Sequence, residues 1–299
     1  MRTLPVLALA VTLSACGGAA KAPVATAPPP TTAAPTTASA TPTPTLAPLA
    51  VVKAAVAATR AKGTASFSVE ATTSFQYGHF TMLREGAYDL RNDRIRVTQT
   101  FDAKPKELVN QLMGEDVDID SLAVHSIAIG NEGYLQMPAW PASIRSKWLR
   151  ITHKDVASST GMNVEVQRFP AAVEMLSAAT ATNVPTFGNT YYVDVTAPVA
   201  ILAAPGLSSV KVLRDAGVDL DALTGTVQVA VEVTGGLVTR VTFDAIEAYR
   251  QAWTKAGQGQ LAGVVRSVET IVTLTDHGKP VSIEAPTAVM TDREFETAT

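Results

Sequence analysis

Cysteine is nearly absent from this chain: 299 residues hold one, Cys16. A lone thiol excludes a disulfide within the chain and offers one soft ligand where a structural zinc site needs several. Histidine is scarce too. His79, His125, His153 and His277 stand outside helical spacing of one another, so no paired-histidine metal motif is present. Charged residues make up only 17% of the chain, the net charge is -3 and no basic block occurs, which argues against nucleic acid as a partner. No apolar run is long enough to cross a bilayer as a helix. There is neither a G-x-S-x-G nucleophile elbow nor a phosphate-binding P-loop. Gly257, Gly259 and Gly263 miss the dinucleotide fingerprint by one residue and follow the helical pattern "AYRQAWTKA", so they read as a loop. Two carboxylates on separate loops would leave no trace in a sequence, but the strand-rich regions show no acidic concentration. The expectation is a protein that is not an enzyme and carries no metal and no cofactor.

What is present begins at the N-terminus. Arg2 supplies a positive start, Leu4 to Leu13 a short apolar run, and Ser14 and Ala15 the small residues before Cys16. The run suits the h-region of a secretory signal. Leu-Ser-Ala-Cys resembles the lipobox of bacterial lipoproteins, which implies a signal peptide over 1–15, cleavage before Cys16 and a diacylglycerol on its sulfur. An ordinary signal peptide with an incidental cysteine is the alternative. Two or more acyl chains give durable anchoring, so Cys16 reads as a membrane tether, with the protein exported and held at the outer face of the cytoplasmic membrane. Residues 16–45 are then a lipidated Cys followed by an Ala/Pro/Thr-rich disordered linker, as in "TAPPPTTAAPTTASATPTPT". Such a segment has too little bulky apolar surface to offset the entropy of ordering it. Extended polyproline geometry gives it a reach of roughly 80 Å. A plain linker and an O-glycosylated stalk fit equally well.

Residues 46–299, about 250 in number, suffice for one large domain. Leu46 to Lys62 has a helical period and Gly63 follows as a stop. The period then becomes two. "SFSVEATTSF" sets Phe67, Val69, Ala71 and Phe75 on one side, "RIRVTQTF" does the same with Ile95, Val97 and Phe101, and "AVHSIAIGNEGYLQM" reads as two strands joined near Gly130 to Gly133. Helices are expected over Pro105 to Met113 and Pro170 to Ala179, and in pieces broken by Pro205 over Val199 to Ala216. "NTYYVDVT" alternates, and "GTVQVAVEVTGGLVTRVTFDA" is a hairpin turning at Gly235-Gly236. "VETIVTLTDHGKPVSIEAP" reads as a closing pair of strands. About nine strands with one apolar face must curl and cover that face. The expected fold is α+β, a single large curved antiparallel sheet wrapped around a few helices.

In order, the chain runs lipobox, Pro/Thr spacer, helix, strand meander, "GNEGYLQMPAW…SKWLRIT" and a late "GGLVTRVTFD". This order resembles the actinobacterial lipoproteins that carry triacylated glycolipids and related lipids across the envelope, whose half-barrel fold is shared with the LolA and LolB carriers. The resemblance spans Leu46 to Pro286, while Asp102 to Ser121 and Lys154 to Thr190 are longer than that family needs. It implies a half-barrel and a lipid or other hydrophobic ligand.

Residue by residue, the site expectations are modest. Asp116, Asp118 and Asp120 open like a calcium-binding loop, yet Ser121 and Ile127 stand where glycine and glutamate belong, so no metal site is assigned. Tyr134, Trp140 and Trp148 either cover one end of the sheet or gate a cavity mouth. The apolar face nominates Phe67, Val69, Ile95, Val97, Ile127, Ile129, Val229, Val231, Val241 and Phe243 as ligand lining. The same residues would serve an ordinary packed core, so a cell-envelope interaction or sensing module with a solid core and a protein partner stands as the alternative. A monomer is expected.

Overall fold

The computed structural model describes residues 47–106, 118–152, 169–182, 184–204 and 210–298. Helix α1 (Pro48–Lys62) has proline in its first turn, Arg60 and Lys62 in its last, and Gly63 at φ 77° as its C-cap. Each choice suits its position: proline lacks an N–H that the first turn cannot use, cations favour the negative end of the helix dipole, and glycine adopts the left-handed cap without strain. Val52, Ala55, Val56 and Thr59 form its buried side.

A meander follows: β1 (Thr64–Phe75), β2 (Gly78–Asp89), β3 (Arg94–Lys104), β4 (Val124–Ile129), β5 (Glu132–Gln136) and β6 (Trp148–Thr152). The β2–β3 turn is fixed by Asp89, whose carboxylate accepts hydrogen bonds from the backbone N–H groups of Arg91 and Asn92 and from the Asn92 side chain. The middle of the chain holds α2 (Ala171–Glu174) running into a 3-10 turn over Met175–Ala178, then β7 (Thr180–Ala181), β8 (Thr190–Thr196), α3 (Ala197–Ala203) and α4 (Val210–Asp215). The last part comprises β9 (Thr226–Thr234), β10 (Leu237–Asp244), α5 (Ile246–Lys255), α6 (Gly259–Val264), β11 (Val265–Thr275), β12 (Val289–Met290) and α7 (Asp292–Ala298). Gly235 and Gly236, at φ 59° and 75°, make the β9–β10 turn, where two positive φ values match the right-handed twist of the strands.

All twelve strands belong to one open sheet, in the order β12-β6-β5-β4-β3-β2-β1-β11-β10-β9-β8-β7. β11 inserts between β1 and β10 and so joins the two meanders. Pairing is antiparallel except between β12 and β6. Both edge strands are two residues long, too short to template a further strand from another chain. α1 lies across β8, β9 and β10, α3 sits against β8 and β9, and α5 sits against β11, all contributing to one large apolar core. The expected α+β sheet and helices are therefore present, with twelve strands in place of about nine.

Three sequence expectations change. The proposed closing pair does not form: β11 is a strand, but residues 276–288 belong to no strand and lead to β12 at the far edge of the sheet. β11 already has β1 on one side and β10 on the other, so no edge remains for a hairpin partner. The glycine cluster at Gly257 to Gly263 is not all loop, because Gly259–Val264 is helical. The helix expected over Pro105 to Met113 begins as a bend at Pro105 and Lys106, and its remainder lies outside the described residues. Likewise, Pro205 falls outside them, between α3 and α4.

Candidate functional site

Antiparallel register fixes which side chains share a face. Phe67 pairs with Gly86 and Leu274, Gly86 with Val97, Val97 with Ser126, and Ser126 with Leu135. Val69 pairs with Val272, which continues through Val241 to Val231 and Tyr191. Because side chains alternate with a period of two, this inner face carries eight of the ten nominated residues: Phe67, Val69, Ile95, Val97, Val229, Val231, Val241 and Phe243.

Ile127 and Ile129 are the exceptions. Ile127 pairs with Arg96 and Tyr134, which places it on the outer face, and the inner positions of β4 are Val124, Ser126 and Ala128. Ile127 packs with Tyr134 and Ile283, and Ile129, Trp148 and Val281 lie against this small cluster. The outer face is apolar here because the segment after β11 crosses it. The Thr64 hydroxyl donates to the Lys279 carbonyl at 2.8 Å, Arg94 donates to the Ile283 carbonyl at 3.0 Å, and the Trp148 N–H reaches the Ala288 carbonyl at 2.8 Å. Ile127 and Ile129 thus hold this strap and are withdrawn from the lining.

The aromatic trio also divides. Tyr134 and Trp148 lie under the strap, whereas Trp140 packs on Phe295 of α7 with ring centroids 5.1 Å apart and joins Leu135, Leu149 and Met290. Asp118 caps a 3-10 turn by accepting the Asp120 N–H. Among the described residues, no three His, Cys, Asp or Glu side chains converge as a metal site.

The inner face has two unlike halves. Over β8 to β11 the helices pack it shut: Val193, Val229, Val231 and Val241 have no exposed surface. On β2 and β3, by contrast, Phe80, Arg84, Gly86, Val97, Gln99 and Phe101 are only half-buried. This floor is amphipathic. Arg84 and Gln99 face each other directly across the strand pair, with Arg84 Nε donating to Gln99 Oε1 at 2.7 Å. Arg84 has a further contact within the protein. Phe80 and Phe101 sit 5.6 Å apart at one end. At Gly86 a β-carbon would come within 3.0 Å of Phe67 Cζ, so the Phe67 ring covers that gap in the floor.

Between the two halves stands an aromatic column. Tyr88 stacks on Phe67 with centroids 6.3 Å apart and meets Phe169 edge-on at 5.3 Å; the Arg60 guanidinium lies 5.6 Å above Phe169. Tyr88 is wholly buried, and burial pushes its phenol up to about 12. Sequence reading missed β2 and with it Phe80, Arg84 and Tyr88. The signal was "HFTMLREGAYDL", in which Phe80, Met82 and Tyr88 keep the period of two while Arg84 and Gly86 interrupt its apolar side.

No protein-family profile matches the chain, and its sequence matches no curated protein. Solved structures do match. The lipoprotein LppX of Mycobacterium tuberculosis is 12% identical, with 79% of this chain and 98% of LppX covered at a TM-score of 0.39. LprF from Mycobacterium bovis is 9% identical, with 80% and 96% covered at 0.42. A DUF1329 family protein from Desulfovibrio piger is 8% identical, with 80% and 95% covered at 0.29. The similarities to LppX and LprF each extend over about four fifths of the chain.

Proposed function

We propose that the protein is an exported lipoprotein, tethered through Cys16 and the linker of residues 16–45, that shelters the apolar part of a lipid against the inner face of its sheet. The observation that carries this reading is the contrast in burial. One half of the inner face is packed almost throughout. On β2 and β3, where Met82, Tyr88, Ile95 and Ala103 are buried, Phe80, Val97 and Phe101 stay partly exposed, Phe80 and Phe101 beside the 3-10 turn of Ile119–Leu122. The lining then moves from the nominated set towards Val97, Phe80 and Phe101. Val229, Val231, Val241 and Phe243 serve the core beneath the helices.

No reacting side chain is needed. At about 25 cal/mol per Å², covering 400 Å² of acyl surface would give a gross gain near 10 kcal/mol, from which ordering and association costs are subtracted. One observation favours the second reading, an envelope interaction module. The β8–β11 half is a solid core, and an extension of that packing over β2 and β3 would leave nothing to bind.

Native mass spectrometry decides between them, on protein secreted by an actinobacterial host and purified without detergent. A stoichiometric extra mass that organic extraction removes is the expected result. A protein that stays bare when offered an excess of dispersed diacyl lipid would overturn the carrier reading.

A further inference from the structure

Among the described residues, the large core holds two buried tyrosines, Tyr88 and Tyr249, and the fold treats them differently. The Tyr249 hydroxyl donates to the Ala204 carbonyl at 3.0 Å. The Tyr88 hydroxyl is equally inaccessible and, among the described residues, has no hydrogen-bond partner. A buried hydroxyl left unsatisfied is destabilising, and phenylalanine would make the same ring contacts with Phe67 and Phe169 without that cost. The phenol stays protonated throughout the physiological range, because burial disfavours the phenolate and pushes its pKa up to about 12. It is therefore a donor waiting for an acceptor.

Its position indicates where the acceptor would come from. Tyr88 lies two residues beyond Gly86 on the same face of β2, and Gly86 pairs with Val97 in the half-buried floor. Thr270, another fully buried hydroxyl without a partner, pairs with Phe243 and Ala71 under the packed half and does not border that floor. Phe169, which closes the far side of the Tyr88 ring, is followed by α2 and belongs to no strand. Reaching the hydroxyl from the floor requires displacement of Phe67 and Phe169, the two rings that touch Tyr88.

We infer that Tyr88 is the polar recognition group of the lipid site, donating its hydroxyl hydrogen to the carbonyl oxygen of an ester- or amide-linked acyl chain that lies over Val97. This inference rests on the lipid-sheltering reading and names within it the side chain that would tell a carbonyl-bearing acyl chain from a bare hydrocarbon. A hydrocarbon or an ether-linked lipid offers the same apolar surface without the strong acceptor.

The test compares dipalmitoyl phosphatidylcholine with its ether-linked dihexadecyl counterpart, each titrated into the full-length protein and into Tyr88→Phe. One buried hydrogen bond predicts a preference of about fivefold to tenfold for the ester lipid in the natural protein. Tyr88→Phe should bind both equally, and without ligand it should melt no lower than the parent. Equal binding of the two lipids by the natural protein, or a preference that survives in Tyr88→Phe, would overturn the inference and leave the carrier reading standing. Failure of both lipids to bind would remove the carrier reading and this inference with it. A second readout needs no variant. With a carbon-13 label at the ester carbonyl, its infrared stretch should move to lower frequency in the complex, and an unshifted band would count against Tyr88 as donor.

Discussion

Thr59 shows how a single side chain joins two layers. It is a threonine on the buried side of α1 with no exposed surface, and its hydroxyl accepts the backbone N–H of Val238 at 2.9 Å. The register of β9 against β10 slips between Val238 and Arg240, and the freed N–H turns to the helix. Thr59→Val keeps the shape and removes the acceptor, leaving a buried amide unpaired. It should cost about 1–3 kcal/mol in urea unfolding, and an unchanged midpoint would show that another group takes up the amide. None of this was readable from "VVKAAVAATRAK", where threonine looks like one polar residue near a helix end. The same limit explains Ile127 and Ile129. Alternation in "SIAI" revealed a strand, but alternation alone cannot say which side faces the helices. The larger side chains went outward because the strap covers them there.

At the scale of elements, the strap over residues 279–288 is the least expected feature. Its alternating "VSIEA" has the period of a strand, yet its apolar residues dock on the back of the sheet while its backbone pairs with no neighbouring strand until β12. Ile283, 2% exposed, is its anchor between Ile127 and Tyr134. Ile283→Ala should destabilise the fold by about 2–4 kcal/mol. Trp148 touches the same cluster, so its fluorescence should shift to the red as the strap loosens. A variant with the parent's stability and emission would mean that the strap is held by its backbone contacts at Lys279, Ile283 and Ala288 alone. Beyond the strap, α7 begins with a reciprocal cap: the Thr291 N–H donates to Glu294 Oε2 at 2.8 Å, and the Glu294 N–H donates to the Thr291 hydroxyl at 3.3 Å. The Thr291 N–H, and with it the Thr291 hydroxyl, donates to the Glu294 carboxylate and lowers its pKa from the ordinary value. Phe295 is thereby directed onto Trp140.

For the whole molecule, the proposed function places anchoring at the N-terminus and shelter in the sheet, and the two can be separated by experiment. Cys16→Ser should move the protein from the membrane fraction to the soluble fraction while leaving lipid binding by the folded part unchanged; persistence in the membrane fraction would overturn the lipid-anchor reading. The signal-like start and the Pro/Thr spacer lie outside the described residues. Local chemistry made several features legible from sequence alone: α1 with its glycine stop, the Gly235-Gly236 hairpin, and the α+β class. Each depends on residues close together in the chain, through backbone preference or a period of two or 3.6. The tertiary structure decided what depends on distant partners. It inserted β11 between β1 and β10, denied the final segment a hairpin and sent it across the back of the sheet. It divided one continuous apolar pattern into a packed half and a half-exposed floor, and it buried the Tyr88 hydroxyl without an acceptor among the described residues. Burial and hydrogen-bond satisfaction are properties of the assembled sheet and its helices, and no stretch of sequence carries them by itself.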